Sequence, residues 1–207
     1  VKKIRTDHTV FLWNRFCNGD EAAFTQLMQL FYPDLFQYGM RFCLDRDLVK
    51  DCLQEVFLYL WNKHATLQGV VHVKTYLLTA VRRKIKKEAE KRRSRPVQLS
   101  PDFMFDAGFE TGLPADHALL AEEGLRQQVL LVRRLLGTLT RRQQEVIYLR
   151  FYMEATITDI AAIMSLNPQS VYNLLHDALK KIRSVYTLPE MENWLPLLAL
   201  AGMALFC

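Results

Sequence analysis

The stretch "ITDIAAIMSLNPQSVYNLLHDALKKIR", residues 157–183, constrains the fold more than any other part of the chain. Ile160, Ala161, Ile163 and Met164 recur at helical spacing, and Val171, Leu174, Ala178, Leu179 and Ile182 do so again after a break. The break, "SLNP", offers Asn167 as an N-cap and Pro168 at a first helical position, where a missing N–H costs nothing. Small Ala161 permits close approach, Ser165 suits a tight turn, and Val171 is placed to fill the angle between two helices. The spacing therefore predicts a helix-turn-helix. The outward positions of its second helix, Gln169, Ser170, Tyr172, Asn173, His176 and Lys180, carry groups that hydrogen-bond base edges and phosphates.

Helical spacing extends through the rest of the chain, and no alternating strand pattern persists, so the expected class is all-α. A first helix is expected over about residues 6–17. "NGDEAAF" then reads as a turn with Asp20 as the cap of a second helix, in which Pro33 is expected to introduce a kink. A third helix begins near Asp47, with Val49, Cys52, Leu53, Val56, Phe57 and Leu60 on its apolar stripe and Asp51, Gln54 and Glu55 on other faces. "NKHATLQGVVHV" breaks the period, and a fourth helix starts near Lys74. Residues 94–116 hold three prolines and two glycines without a sustained period, the composition of a linker. Helices resume near Leu119, and Thr140 and Gln143 stand at capping-box spacing. The expected organisation is two small helical domains, 1–93 and 119–186, joined by a flexible linker over 94–118 and followed by a hydrophobic tail, 187–207.

Composition excludes several function classes. The four cysteines (17, 43, 52 and 207) form no Cys-x-x-Cys pair, and the five histidines (8, 64, 72, 117 and 176) show no ligand spacing, so no metal site is expected. Neither a phosphate-binding glycine loop nor a nucleophile motif is present, and the chain reads as a non-enzyme without a cofactor. No secretory leader pattern opens the sequence, and a reducing cytoplasm is the expected compartment. The net charge of +5 is concentrated: residues 82–95 hold nine Lys or Arg against Glu88 and Glu90, leaving the remainder slightly acidic. The tail "WLPLLALAGMALFC" carries no charge, and its 14 residues fall short of the roughly 20 a helix needs to span a bilayer. Docking on protein is favoured over membrane attachment.

The segments "GDEAAF", "DCLQEVFLYLW", "VKTYLLTAVRRK" and "LTRRQQEVIYLRFY", followed by the helix-turn-helix, resemble in order and spacing the extracytoplasmic-function (ECF) group of bacterial RNA polymerase sigma factors. The resemblance covers roughly residues 10–93 (region 2) and 119–186 (region 4), and "SVYNLL" most resembles members from Bacteroidota. It implies a promoter-specificity subunit, with the β′ clamp helices and β flap of core polymerase and promoter DNA as partners, and an anti-sigma factor as a further one. Asp51, Gln54 and Glu55 then lie where the family grips the clamp helices. The segment from Asn62 through Lys63 and His64 to His72 lies where it captures a flipped minus-10 base, an extrusion that places a base in a pocket. Lys74 and Tyr76 fall beside it, and Arg82, Arg83, Lys84, Lys86 and Lys87 are expected on phosphates of the melting DNA. Arg141 and Arg142, with the outward face of the last helix, fall to the minus-35 element. Two departures stand out. Arg83 and Lys87 occupy positions where the family usually has Asn and Asp, and Asp177 replaces a usual cation, which weakens phosphate attraction. Such departures leave room for a separate DNA-targeting protein that supplies the address. A stand-alone helix-turn-helix regulator is the alternative, and it gives "DCLQEVF" and "VKTYLL" no role.

Overall fold

The computed structural model describes residues 2–93, 132 and 134–185 of the 207-residue chain. Every regular element among them is helical, and the all-α class holds. The chain divides into two compact units between Ala107 and Gly108. The expected linker, the start of the helix expected near residue 119 and the apolar tail lie outside the described residues, as do His117 and Cys207.

The first unit comprises α1 (Lys2–Cys17), α2 (Glu21–Met40), α3 (Arg46–Lys63), a 3-10 turn (His64–Thr66) and α4 (Val73–Arg93). Asp20 caps α2 as its sequence context predicts: its carboxylate accepts from the Ala23 amide at 3.0 Å and from Arg15 Nε at 2.7 Å. Those bonds hold the Asp20 carboxyl below the usual carboxylate range, the Ala23 amide contributing most. Asp45 caps α3, accepting from the Asp47 and Leu48 amides at 3.1 and 3.0 Å, so α3 starts one residue before the position expected. The second helix runs through Pro33 without interruption from Glu21 to Met40. Pro33 lies on the exposed side, as does residue 29, whose carbonyl loses its helical donor, so water can satisfy the missing bond.

Apolar stripes of all four helices meet in one core around Trp13, Phe16, Leu35, Tyr38, Leu53, Leu60, Leu77 and Ile85, each at most 2% exposed. Phe16 stacks on Phe24, Phe24 approaches Trp61 with centroids 5.2 Å apart, and Trp13 meets Tyr76 edge to face at 5.9 Å. The buried Trp13 indole N–H donates to the Leu67 carbonyl at 3.2 Å, tying α1 to the segment between α3 and α4. At the crossing of α2 with α3 and α4 stands Gly39, where a Cβ would come within 2.7 Å of Val49 Cγ1 and 3.0 Å of Ile85 Cδ1.

The second unit contains a helical stretch over 134–137, α5 (Arg141–Ile147) continued by a π-helical turn (Tyr148–Tyr152), α6 (Ile157–Met164) and α7 (Pro168–Val185). The expected Thr140–Gln143 capping box is present, with both reciprocal bonds made. A second box, Thr156–Asp159, starts α6. The buried Gln144 amide donates to the Leu136 and Leu139 carbonyls at 2.9 and 3.2 Å, satisfying the end of the preceding helical stretch. The π-helical turn is a departure from the uniform helix the sequence suggests, and Glu154 at φ 53° ends it.

Gly39→Ala is expected to destabilise the first unit by about 1 kcal/mol net. Overpacking against stiff Val49 costs roughly 1–3 kcal/mol, and improved helix propensity returns just under 1. The denaturant midpoint of the first unit's unfolding checks it.

Candidate functional site

Helix periodicity in α3 turns Leu48, Val49, Cys52, Leu53, Val56, Phe57 and Leu60 inward, and leaves Asp51, Gln54 and Glu55 exposed on the opposite side. Leu58 joins them at 62% exposure, and beside it an open apolar groove of about 920 Å³ runs between α2 and α3, lined by Phe24, Met28, Tyr32, Phe57 and Trp61 among others. The sequence stripe did not foretell this groove, because its walls come from two helices. Gln54 and Leu58 line the groove from α3 and Glu21 and Gln29 from α2, and an acidic and amide edge beside an apolar floor suits a basic, amphipathic helix. The rim is not uniform: the Glu55 carboxylate is paired with Lys84 of α4.

Where α3 ends, Asn62 and Lys63 are exposed. His64 is not a free reader. Its ring stacks on Trp61 with centroids 5.5 Å apart, and its Nδ1 lies 2.7 Å from the Trp61 carbonyl oxygen. Beyond it the chain is held at Leu67 by the Trp13 bond, turns at Gly69 (φ 93°), and presents Val71 and His72 on the surface. Lys74 is drawn sideways into an ion pair with Asp34 of α2 at 2.9 Å. Tyr76 is half-buried against Trp13, and burial pushes its phenol above the ordinary range.

The basic run of α4 separates into different fates. Arg83, Lys87 and Lys91 recur at four-residue spacing along one exposed stripe, with Lys86 half-buried beside it. Arg82 departs from its expected place on DNA phosphates: at 8% exposure it belongs to the inward side of α4, between Leu78 and Ile85. Lys84 departs as well, with its ammonium held by Glu55 and Glu88 rather than presented to solvent. Four consecutive positions of one helix span its whole circumference, so a run of cations cannot share one face.

In the second unit Ser165 closes α6 in the left-handed conformation (φ 56°), and the Leu166 amide returns to the Ala161 carbonyl at 2.9 Å. Asn167 accepts from the Ser170 amide at 2.7 Å, Pro168 opens α7, and Val171 is fully buried. The helix-turn-helix is thus built from the residues its sequence predicts. Gln169, Tyr172, Asn173, His176 and Lys180 are exposed, Ser170 half so, and Gln169 Nε2 donates to Asn173 Oδ1 at 3.0 Å, ordering two candidate readers together. Asp177 stands on the same exposed surface, 3.5 Å from His176 Nδ1. At the start of α5, Arg142 is exposed and Arg141 half-exposed.

Cys17, Cys43 and Cys52 are buried and form no disulfide, and burial pushes the Cys52 thiol up to about 11, so it stays protonated and unreactive near neutrality. Among the described residues no group of three or more His, Cys, Asp or Glu is placed to hold a metal, and no helix is long and apolar enough to cross a membrane.

Residues 27–95 match sigma-70 region 2, and residues 130–182 match sigma-70 region 4, together more than half of the chain. The ECF RNA polymerase sigma factor SigX of Bacillus subtilis is 28% identical over 166 residues, covering 79% of this chain and 83% of that protein. The chain belongs to the ECF sigma factors. Its function is that of a sigma factor in transcription initiation, and the region 2 match disfavours a stand-alone regulator. Two solved structures share the fold at 18% identity. One is CnrH in complex with the cytosolic domain of CnrY (TM-score 0.54, covering 84% of this chain and 94% of that one). The other is the sigma factor RpoE of Bartonella quintana in complex with the anti-sigma factor NepR (TM-score 0.57, covering 81% and 98%).

For this sigma factor, replacing Arg83 and Lys87 with Gln should reduce the salt slope of DNA binding by about 1.5, one lost phosphate contact each. Arg82→Gln should leave the slope unchanged and instead lower stability by about 1–3 kcal/mol, through lost packing of a buried stem. Titrating labelled promoter DNA at several salt concentrations, alongside thermal unfolding, separates the two.

The αL position of Ser165 yields a further expectation. Ser165→Gly should stabilise the second unit by about 0.5–1 kcal/mol, because glycine adopts this conformation without a Cβ penalty. An unchanged or lower unfolding midpoint contradicts it.

Proposed function

We propose that α3 grips the β′ clamp helices of core polymerase through Asp51, Gln54 and Glu55, with Leu58 and the adjacent groove as the apolar floor of that contact. One observation carries this reading: Asp51, Gln54 and Glu55 are exposed together on α3 in the unit matching sigma-70 region 2, and Gln54 and Leu58 also line an open apolar groove. Charge complementarity to a basic coil then sets orientation and encounter rate, and apolar contact supplies the floor. The segment from Asn62 to His72 receives a base extruded from the minus-10 element, with Asn62, Lys63, Val71 and His72 among its exposed side chains and His64 as the packed wall beneath. Tyr76 braces this segment through Trp13, and Arg83, Lys86 and Lys87 follow the phosphates.

In the second unit α7 enters the major groove of the minus-35 element. Gln169, Ser170, Tyr172, Asn173 and His176 face bases, while Lys180, Arg141 and Arg142 meet phosphates. The same unit meets the β flap. We place the protein in the cytoplasm as a non-enzymatic factor without a cofactor, and, as RpoE has NepR in complex with it, we extend to this chain an anti-sigma factor that acts by occupying the polymerase-facing surface. Asp177 beside His176 puts a carboxylate among the phosphate-facing groups. We extend the reading to a separate DNA-targeting protein that compensates this weakness by tethering, which converts weak binding into an intramolecular event.

Reversing charge with Asp51→Lys and Glu55→Lys together should weaken association with core polymerase by about 10- to 100-fold while the helical circular-dichroism signal is retained, because both side chains lie off the core. Copurification with core polymerase and transcription from a defined start site measure this. Undiminished association sinks the assignment of α3. Transcription from random promoter libraries addresses the DNA-targeting partner: a strong two-element consensus obtained with this factor and core polymerase alone rules against it.

A further inference from the structure

Lys84, within the 82–87 run, is engaged by carboxylates on two different helices. Its ammonium contacts Glu55 Oε2 on α3 and Glu88 Oε1 on α4, the latter at 3.0 Å, and the same Glu88 oxygen accepts from Lys91 at 2.7 Å. The side chains of Lys84 and Glu88 are only 18% and 19% exposed, whereas that of Glu55 is 58% exposed. The chain of charges therefore runs from a shielded centre between two helices out to the polymerase-facing rim. Lys91 and Lys84 hold the Glu88 carboxyl down to about 2, so Glu88 remains anionic and keeps its hold on Lys84 at any pH near neutrality. Drawing Lys84 out to a DNA phosphate would break two ion pairs, one of them shielded. Arg83 and Lys87 face solvent next to it and meet no such obstacle.

Glu55 presents a different chemistry. A glutamate on an exposed helix face samples several rotamers, and a partner that needs one of them must restrict the rest on binding. Pairing with Lys84 occupies Oε2 and leaves Oε1 as an acceptor for a second donor. We propose that Lys84 is a positioning residue for polymerase engagement: anchored by Glu88, it holds the Glu55 carboxylate in one orientation on the rim of α3, ready for a cationic side chain of the polymerase coil. This rests on the reading of Glu55 as part of the polymerase grip. The polymerase partner does not displace Lys84 but joins it, each cation taking one carboxylate oxygen.

Full-length protein carrying Lys84→Met, Lys84→Arg, Glu55→Gln, or Lys84→Met with Glu55→Gln tests this through core-polymerase affinity, the salt slope of DNA binding and the thermal midpoint. Lys84→Met should weaken core binding about three- to tenfold, the range expected when one rotamer-rich side chain must be ordered on binding. Lys84→Arg should restore most of that loss, and the salt slope should stay unchanged in both. Glu55→Gln should weaken core binding, and adding Lys84→Met to it should cost nothing further, since the residue to be positioned is gone. Normal core affinity in Lys84→Met while Glu55→Gln is impaired overturns the inference and leaves the polymerase reading standing. A salt slope reduced by about one in Lys84→Met makes Lys84 a phosphate contact and overturns it too. Equal losses from Lys84→Met with and without Glu55 assign Lys84 a merely structural role. Unimpaired binding by Glu55→Gln removes both the inference and the role of Glu55 beneath it.

Discussion

The close approach of α2, α3 and α4 at Gly39 sets the geometry of the first unit. With no side chain there, Val49 advances to a distance that a Cβ would not allow without a shift, and Ile85 to one that a Cβ would leave tight. Once the three axes are that close, which side of each helix faces inward is decided together. The side of α3 that meets Gly39 is the one bearing Val49, so Asp51, Gln54 and Glu55 are turned to the surface. The side of α4 that meets it bears Ile85, so Arg83 and Lys87 turn outward as Arg82 turns in. An acidic rim and a cationic stripe on neighbouring helices thus follow from one packing constraint, and Lys84, at the seam between them, is where opposite charges meet.

The second unit is organised by termini more than by bulk. Its helices α5 and α6 are short, and a short helix leaves most of its backbone polar groups without internal partners. Thr140, Thr156 and Asn167 each supply a side-chain acceptor at a helix start, and Gln144 satisfies carbonyls at a helix end. Between α6 and α7 the turn has Ser165 in a conformation that glycine adopts more cheaply, and Ile160, Ile163, Val171 and Ala178 on the two helices are buried. What emerges is a rigid presentation of the outward face of α7, the property a groove-reading helix needs.

Local signals in the sequence were legible wherever one residue acts on its own neighbourhood. Asp20, Thr140 with Gln143, Asn167 and Pro168 act within four residues, and each does in the structure what its spacing implies. The apolar stripe of α3 was readable for the same reason, since helix period alone separates Leu53 from Gln54. Less legible were features made by two elements at once. In the sequence Arg82 belongs to a basic run, because charge is visible there and burial is not. His64 looked like a polar group in a loop, whereas the aromatic cluster of Phe16, Phe24 and Trp61 holds its ring. The π-helical turn at Tyr148–Tyr152 had no sequence marker, because an extra residue per turn is a response to packing rather than a propensity.

By itself the sequence determined that the fold class is all-α, where most of the described helices begin, and that one segment forms a helix-turn-helix with a polar outward face. It also determined the kinship with ECF sigma factors, which resides in the order of motifs. Those are properties of spacing along one chain, set by a period of 3.6 residues and by caps that reach no further than one turn. Only the tertiary structure decided which cations of residues 82–87 reach solvent, that α2 and α3 leave an apolar groove beside Gln54 and Leu58, and that Glu55 answers to Lys84 twenty-nine residues away. The physical reason is that burial and ion pairing depend on which surfaces are brought together, and a helix carries its charges to whichever side its neighbours leave open.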